Sequence, residues 1–217
     1  MTRLYRLVLS LTLGACAMGG PGPRRGSPDA NGDDDETPDS RTTSMPDAPP
    51  SSSCAQAFTG VLATWTLTGQ AGNQASTPVT SKANGITAGA LARSAGLTAT
   101  AGTNSINSSG WPTTSTADTT KYYTFTITPP SGCSLALSSA AIDVAHSSTG
   151  PALGAIATSA DNYQQQLSIS TSTATAPSLV VSGGTTQLEI RVYGYMASSA
   201  SGTMRLQNTL SLTGSLH

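Results

Sequence analysis

Apolar and polar residues alternate along short runs through the C-terminal three quarters of the chain, at 61–67, 122–128, 134–145, 167–170, 179–181, 187–196 and 202–212. A period of two places alternate side chains on opposite faces of a strand, so each run predicts a strand with one face on a core and one toward water. In the first run, Val61, Ala63, Trp65 and Leu67 are expected to face inward, and Leu62, Thr64 and Thr66 outward. Helical periodicity is nearly missing. Pro129-Pro130-Ser131-Gly132, Thr149-Gly150-Pro151 and Gly183-Gly184 break the pattern as loops or hairpin turns. Half-buried strands of this kind build antiparallel sheets, and two sheets packed face to face bury every apolar face at once. The predicted fold is therefore all-β, an antiparallel two-sheet β-sandwich over residues 54–217.

The N-terminal pattern is different. Arg3 and Arg6 flank the start of an apolar run at 7–13 that closes in small residues, which is the plan of a cleavable secretory signal. The run is far short of the ~20 residues a spanning helix needs. Leu13-Gly14-Ala15-Cys16 resembles a bacterial lipobox. That resemblance implies that residues 1–15 are a lipoprotein signal peptide and that the Cys16 thiol is lipidated and becomes the first residue of the mature chain. The alternative is an ordinary signal cleaved after Ala15, leaving a free cysteine. Several acyl chains hold a protein stably at a bilayer, so the expected partner is the membrane, reached through a lipid anchor. Ala17 is not the aspartate that retains lipoproteins at the inner membrane, and the expected location is extracytoplasmic, at the outer membrane or cell surface.

Residues 16–53 are rich in proline, serine, glycine and acid, with almost nothing apolar to bury, and read as a disordered tether. Asp29, Asn31, Asp33 and Asp35 have the alternating oxygens of a calcium loop, but the glycine and glutamate that turn and close an EF-hand are missing, so a solvated acidic spacer is expected. In 54–217 the charges nearly cancel, with Lys82, Arg93, Lys121, Arg191 and Arg205 against Asp118, Asp143, Asp161 and Glu189. No basic stripe appears, so nucleic acid is not an expected partner. If Cys16 is acylated, Cys54 and Cys133 remain, and an exported chain is expected to join them in a disulfide.

The runs TNSINSSGW (103–111), KYYTFTITPPSGCSLALSSAAIDVAHSSTGP (121–151), TSADNY (158–163) and RVYGYMASSASGTMRLQN (191–208) resemble a β-sandwich module common in exported bacterial proteins. The resemblance implies a jelly-roll order of strands rather than an immunoglobulin-like one. Such modules accompany enzymes or surface anchors and share no established activity. Cys133 stands where the family prefers an aromatic residue, and His146 where it prefers a basic one.

Catalysis is not expected. His146 is the one internal histidine of the segment, and Asp143 would point to the opposite face of its strand. The acids are scattered rather than paired, no Cys/His cluster has zinc spacing, and Ser182-Gly183-Gly184-Thr185 lacks the lysine of a phosphate loop. No cofactor is expected; a structural calcium held by Asp118, Asp143 or Asp161 stays open. The remaining candidate is a binding row. On 187–196, Leu188, Ile190 and Val192 alternate with Glu189, Arg191, Tyr193 and Tyr195, so one face feeds the core and the other lines up two rings with a guanidinium, with Trp111 and Tyr163 able to rim it. Rings offer flat apolar area to the C–H face of a sugar, and Arg and Glu reach its hydroxyls. The competing reading is that these rings pack against cross-strand neighbours and that Trp111 plugs one end of the sandwich. The expected function is an anchored recognition module for a glycan or cell-envelope component; the alternative is a structural or interaction lipoprotein with no small ligand.

Overall fold

A computed structural model describes residues 54–217, so the predicted signal peptide, the lipobox cysteine Cys16 and the acidic tether lie outside the described residues. The strands run in chain order β1 (Phe58–Thr66), β2 (Ala71–Gly72), β3 (Ser76–Thr77), β4 (Ser81–Lys82), β5 (Thr87–Ala88), β6 (Leu91–Arg93), β7 (Thr98–Ala99), β8 (Ser105–Ser109), β9 (Tyr122–Thr128), β10 (Leu135–His146), β11 (Pro151–Thr158), β12 (Leu167–Ile169), β13 (Ala174–Thr175), β14 (Val181–Gly184), β15 (Leu188–Ala197) and β16 (Met204–Leu216). A 3-10 turn, Ser159–Asp161, follows β11.

The long strands sort into two sheets. In the first, β14 lies beside β10, β10 beside β16, and β16 beside β1; in the second, the order is β12-β11-β15-β9. The chain crosses between sheets at every step from β1 through β9 and β10 to β11, turns within the second sheet to β12, then crosses again through β14, β15 and β16. That is the strand order of a jelly roll, the order implied by the resemblance above. The short strands β2 to β8 fill a long insertion between β1 and β9 and extend both sheets, β4 and β8 on the first and β5 and β6 on the second.

The core lies between the sheets. Trp65 meets Phe125 of β9, in one buried cluster with Leu67, Ile127, Leu137, Ile142, Val144, Ile156, Ile190, Val192, Leu206, Leu210 and Leu212. The Trp65 and Phe125 rings lie 4.9 Å apart between centroids, and Trp65 Nε1 donates to the carbonyl of Gly89 at 3.0 Å, so the indole is buried without stranding its donor.

Three local readings of the sequence are corrected. Val61 is 49% exposed and Leu62 fully buried, the reverse of the predicted phase, although Ala63, Trp65 and Leu67 face inward as expected. The cause is a β-bulge: Val61 pairs with Thr213 and Ala63 with Leu212, so one extra residue enters β1 and resets the alternation. Second, alternation does not reveal β11, because Pro151-Ala-Leu-Gly-Ala-Ile-Ala-Thr158 shows none; residues 154–158 are all buried, and a strand covered on both faces loses the period-two signal. Pro151 is its first residue, the strand position at which a missing N–H costs least. Third, Leu179 is buried but precedes the strand, and Gly183-Gly184 belongs to β14 rather than to a loop, with Gly184 opposite Leu135.

Cys54 and Cys133 form a disulfide with Cα atoms 4.6 Å apart, inside the range that bridged cysteines adopt. Cys133 lies in the turn between β9 and β10, its N–H bonded to the Pro130 carbonyl. The bond thus fixes the point at which the chain enters β1 to a connection between the two sheets.

Candidate functional site

The second sheet turns its outer face to solvent along β15, which is flanked by β9 on one side and β11 on the other. The predicted alternation holds: Leu188, Ile190 and Val192 point into the core, and Glu189, Arg191, Tyr193 and Tyr195 share the outer face. Strand register then decides their neighbours. Tyr193 stands opposite Tyr122 and Arg191 opposite Thr124 on β9; on β11, Ala155 and Ala157 stand opposite Tyr193 and Arg191. The two alanines are buried and small, which leaves the outer face to the larger side chains of β9 and β15.

Arg191 is the centre of this group. Its Cζ lies 4.1 Å from the centroid of Tyr122 and 3.9 Å from that of Tyr163, so the guanidinium makes cation–π contact with both rings. Its Nε donates to Glu189 Oε1 at 2.7 Å. The same carboxylate accepts from Thr124 Oγ1 at 2.9 Å and, through Oε2, from the Tyr163 hydroxyl at 2.8 Å. The pair remains partly open to water, with side-chain exposures of 20% for Arg191 and 28% for Glu189.

The titration of these groups follows from that geometry. Burial alone would raise the Glu189 carboxyl, but the donors Arg191, Tyr163 and Thr124 outweigh it and hold its pKa below the ordinary value. Burial alone would lower Arg191; its bond to Glu189 wins and raises it. Tyr163 is pushed up to about 12, first by burial and then because its phenol donates to a carboxylate that disfavours the phenolate. Tyr193 is raised by burial, partly offset by Arg191.

Of the residues singled out in the sequence, Glu189, Arg191, Tyr193 and Tyr163 come together, and Tyr195 continues the row opposite Leu153, which is 43% exposed. The row is not an open platform. Tyr193 is only 1% exposed and packs edge-on to Tyr122 at 5.8 Å, with its hydroxyl near the Arg191 guanidinium but outside good hydrogen-bond geometry. Trp111 does not rim this face at all. It is 1% exposed, donates Nε1 to the Ser108 carbonyl at 2.8 Å and lies edge-on to Tyr123 at 5.4 Å, and Tyr123 points into the core. A large ring with one donor gains more from burial beside a waiting carbonyl than from solvent, which is why it serves as a plug.

Sequence reasoning missed two members of the cluster, Tyr122 and Thr124, and a separate staple at Arg93. Tyr122 joins the cluster only through strand register, which no local pattern reveals. Arg93 on β6 forms a separate staple: Nε donates to Ser108 Oγ, Nη1 to the Gln74 carbonyl, and Nη2 to the carbonyls of Gly72 and Asn107. Ser105 Oγ and Asn107 Nδ2 donate to the carbonyls of Gly102 and Ala101. The N-S-I-N-S-S-G-W motif therefore satisfies buried backbone and ties the insertion to the sandwich.

The other candidates are dispersed. His146 is exposed and bonded to the Ser147 carbonyl, while Asp143 accepts from Gln207 and Asn208, so Asp143, His146 and Ser147 share no relay. Asp118 accepts from the N–H and hydroxyl of Thr120, which lower its pKa, and Asp161 accepts from the Gln165 N–H. Among the described residues no group of three or more His, Cys, Asp or Glu side chains is placed to hold a metal ion. No family model matches the chain, and no curated protein and no solved structure matches it either.

Proposed function

We propose that this is an extracytoplasmic, lipid-anchored jelly roll that acts by recognising a component of the cell envelope rather than by catalysis. The observation that carries the reading is the Cys54–Cys133 disulfide, set where the acidic tether would enter the folded segment. Such bonds persist in oxidising compartments, which agrees with the secretory pattern and lipobox of the first sixteen residues. Attachment in this reading falls to Cys16 of the lipobox; among the described residues no helix is long and apolar enough to cross a membrane. Replacing Cys16 with Ala is expected to release the protein from the membrane fraction and to abolish labelling by a fatty-acid probe. Retention of the variant, with no labelling of the wild type, would refute the anchor.

The contact surface in this proposal is the outer face of the second sheet, and the part open to a glycan is Tyr195 with Leu153. A second reading, a structural or interaction lipoprotein without a small ligand, is favoured by the engagement of Arg191 with two rings of its own chain and the burial of Tyr193. A polysaccharide pull-down with wild type and Tyr195→Ala separates the two. Binding lost in the variant at unchanged thermal stability supports the glycan ledge; no binding by the wild type leaves the interaction reading in the lead.

A further inference from the structure

Four members of the Arg191 cluster are fixed on strands: Tyr122 and Thr124 on β9, Glu189 and Arg191 on β15. The fifth, Tyr163, comes from a turn. It follows the 3-10 turn, whose Ser159 hydroxyl accepts the Glu189 N–H at 2.9 Å and so holds that turn against β15. Past this pin, Asn162 and Tyr163 both take left-handed backbone, with φ of 55° and 61°. Asparagine tolerates that region, but a bulky tyrosine adopts it only at a cost that its other contacts must repay. Asn162, Gln164, Gln165 and Gln166 are all exposed, so Tyr163 is the residue of this turn that reaches back to the sheet. What it finds there is one face of a guanidinium for its ring and one carboxylate oxygen for its hydroxyl.

We infer that Tyr163 is the resident occupant of a slot for a hydroxyphenyl ring, and that the slot's exchangeable ligand is a tyrosine side chain of a partner polypeptide. This deepens the interaction reading of the same face and does not depend on the lipid anchor. The slot selects its ligand by chemistry. A guanidinium face attracts the electron-rich face of an aromatic ring, which a saccharide lacks, so glycans are directed to the Tyr195 ledge instead. Glu189 Oε2 needs one donor, which tyrosine brings and phenylalanine does not. The same carboxylate repels a phosphorylated tyrosine, so the unmodified side chain is the one accepted. Because the resident ring competes, the apparent affinity of the wild type is its intrinsic affinity reduced by the small fraction of molecules with the slot open.

The test titrates N-acetyltyrosinamide and N-acetylphenylalaninamide into the mature chain and follows the side-chain Nε–H resonance of Arg191 by NMR. Tyr163→Ala removes the competitor, so the tyrosine probe should bind it about tenfold or more tightly than it binds wild type. In the same variant the phenylalanine probe should bind about fivefold less tightly than the tyrosine probe, since it leaves the carboxylate oxygen without its donor. If Tyr163→Ala does not fold, Tyr163→Phe carries the comparison: it keeps a ring, loses the bond to Glu189, and should bind the tyrosine probe about fivefold more tightly than wild type. Equal affinities across the variants, no preference for tyrosine over phenylalanine, or an unmoved Arg191 resonance would each overturn the inference. A negative result here with Cys16→Ala still released from the membrane would remove the slot and leave the anchored interaction module standing.

Discussion

Removing the Cys54–Cys133 bond should cost the sandwich a large part of its stability. The two cysteines are 79 residues apart in sequence, so the bond closes a loop that contains β1, the whole insertion and β9. In the chain-entropy account, opening a loop of that length frees the unfolded chain by about 4.5 kcal/mol at 25 °C. For a protein of this size that corresponds to a fall in Tm of about 9–18 °C. Cys54→Ala with Cys133→Ala is the suitable variant, because Cys133 is buried and a polar replacement would add a desolvation cost of its own. Urea denaturation of oxidised wild type and the double variant measures the difference, and the m-value should rise as well, since an unfolded chain without the cross-link exposes more surface. A loss below about 1 kcal/mol, with an unchanged m-value, would show that the bond does not act through the unfolded chain as the entropy account requires.

Three further outcomes follow from individual side chains. Arg93→Met strips the carbonyls of Gly72, Gln74 and Asn107 of their shared donor and should destabilise the fold by about 3 kcal/mol in chemical denaturation, with faster proteolysis of the 67–121 insertion as its local signature. Tyr193→Phe removes a buried hydroxyl that makes no hydrogen bond of good geometry, so its stability should equal or exceed that of wild type by up to about 1 kcal/mol; a clear loss would mean that the hydroxyl is bonded to Arg191 in solution. The outer cluster should also respond to pH at both ends of the scale. Glu189 titrates below its ordinary value in the folded protein, so its contribution is present above the unfolded carboxyl pKa and is lost as pH falls through the folded one. Tyr163 is raised to about 12, so its contribution is present below the ordinary phenol pKa and is lost as pH climbs through the folded value. Glu189→Gln should flatten the acid limb of a Tm-against-pH curve, and Tyr163→Phe the alkaline limb.

How far the sequence carries the fold depends on whether one strand face stays wet. The runs at 122–128 and 187–196 lie beside an outer face open to water, and β9 and β15 are found within a residue or so of where alternation puts them. β11 is dry on both faces along 154–158, so the same rule has nothing to detect. Val61 and Leu62 fail for a third reason. A bulge is a relation between two strands, and the residue that will be counted twice cannot be seen in one strand alone. The candidate site divides along the same line: Glu189, Arg191, Tyr193 and Tyr195 share a face because they lie on one regular strand, whereas Tyr122 and Thr124 arrive by register and Tyr163 by a left-handed turn.

Charge gave the least direct guide to function, and the structure explains why. Only nine charged side chains, five basic and four acidic, occur among Lys, Arg, Asp and Glu in 54–217, and a chain so poor in charge uses them as staples. Arg93 binds three carbonyls of the insertion, Lys82 Nζ donates to the Ile86 carbonyl, Asp118 closes its own loop on Thr120, and Asp143 holds two amides on β16. Each of these is half-buried or bonded locally, where a polar group left without a partner would cost more than the bond itself gains. Arg191 and Glu189, like Asp143, bond side chains rather than backbone, but they bond each other and the hydroxyls of Thr124 and Tyr163, and the guanidinium also meets the rings of Tyr122 and Tyr163. A structural staple holds backbone in place; this pair holds only rings and hydroxyls, one of them supplied by the strained Tyr163 turn. That difference, more than the presence of charge, marks the outer face of β15 as the place to test for a partner.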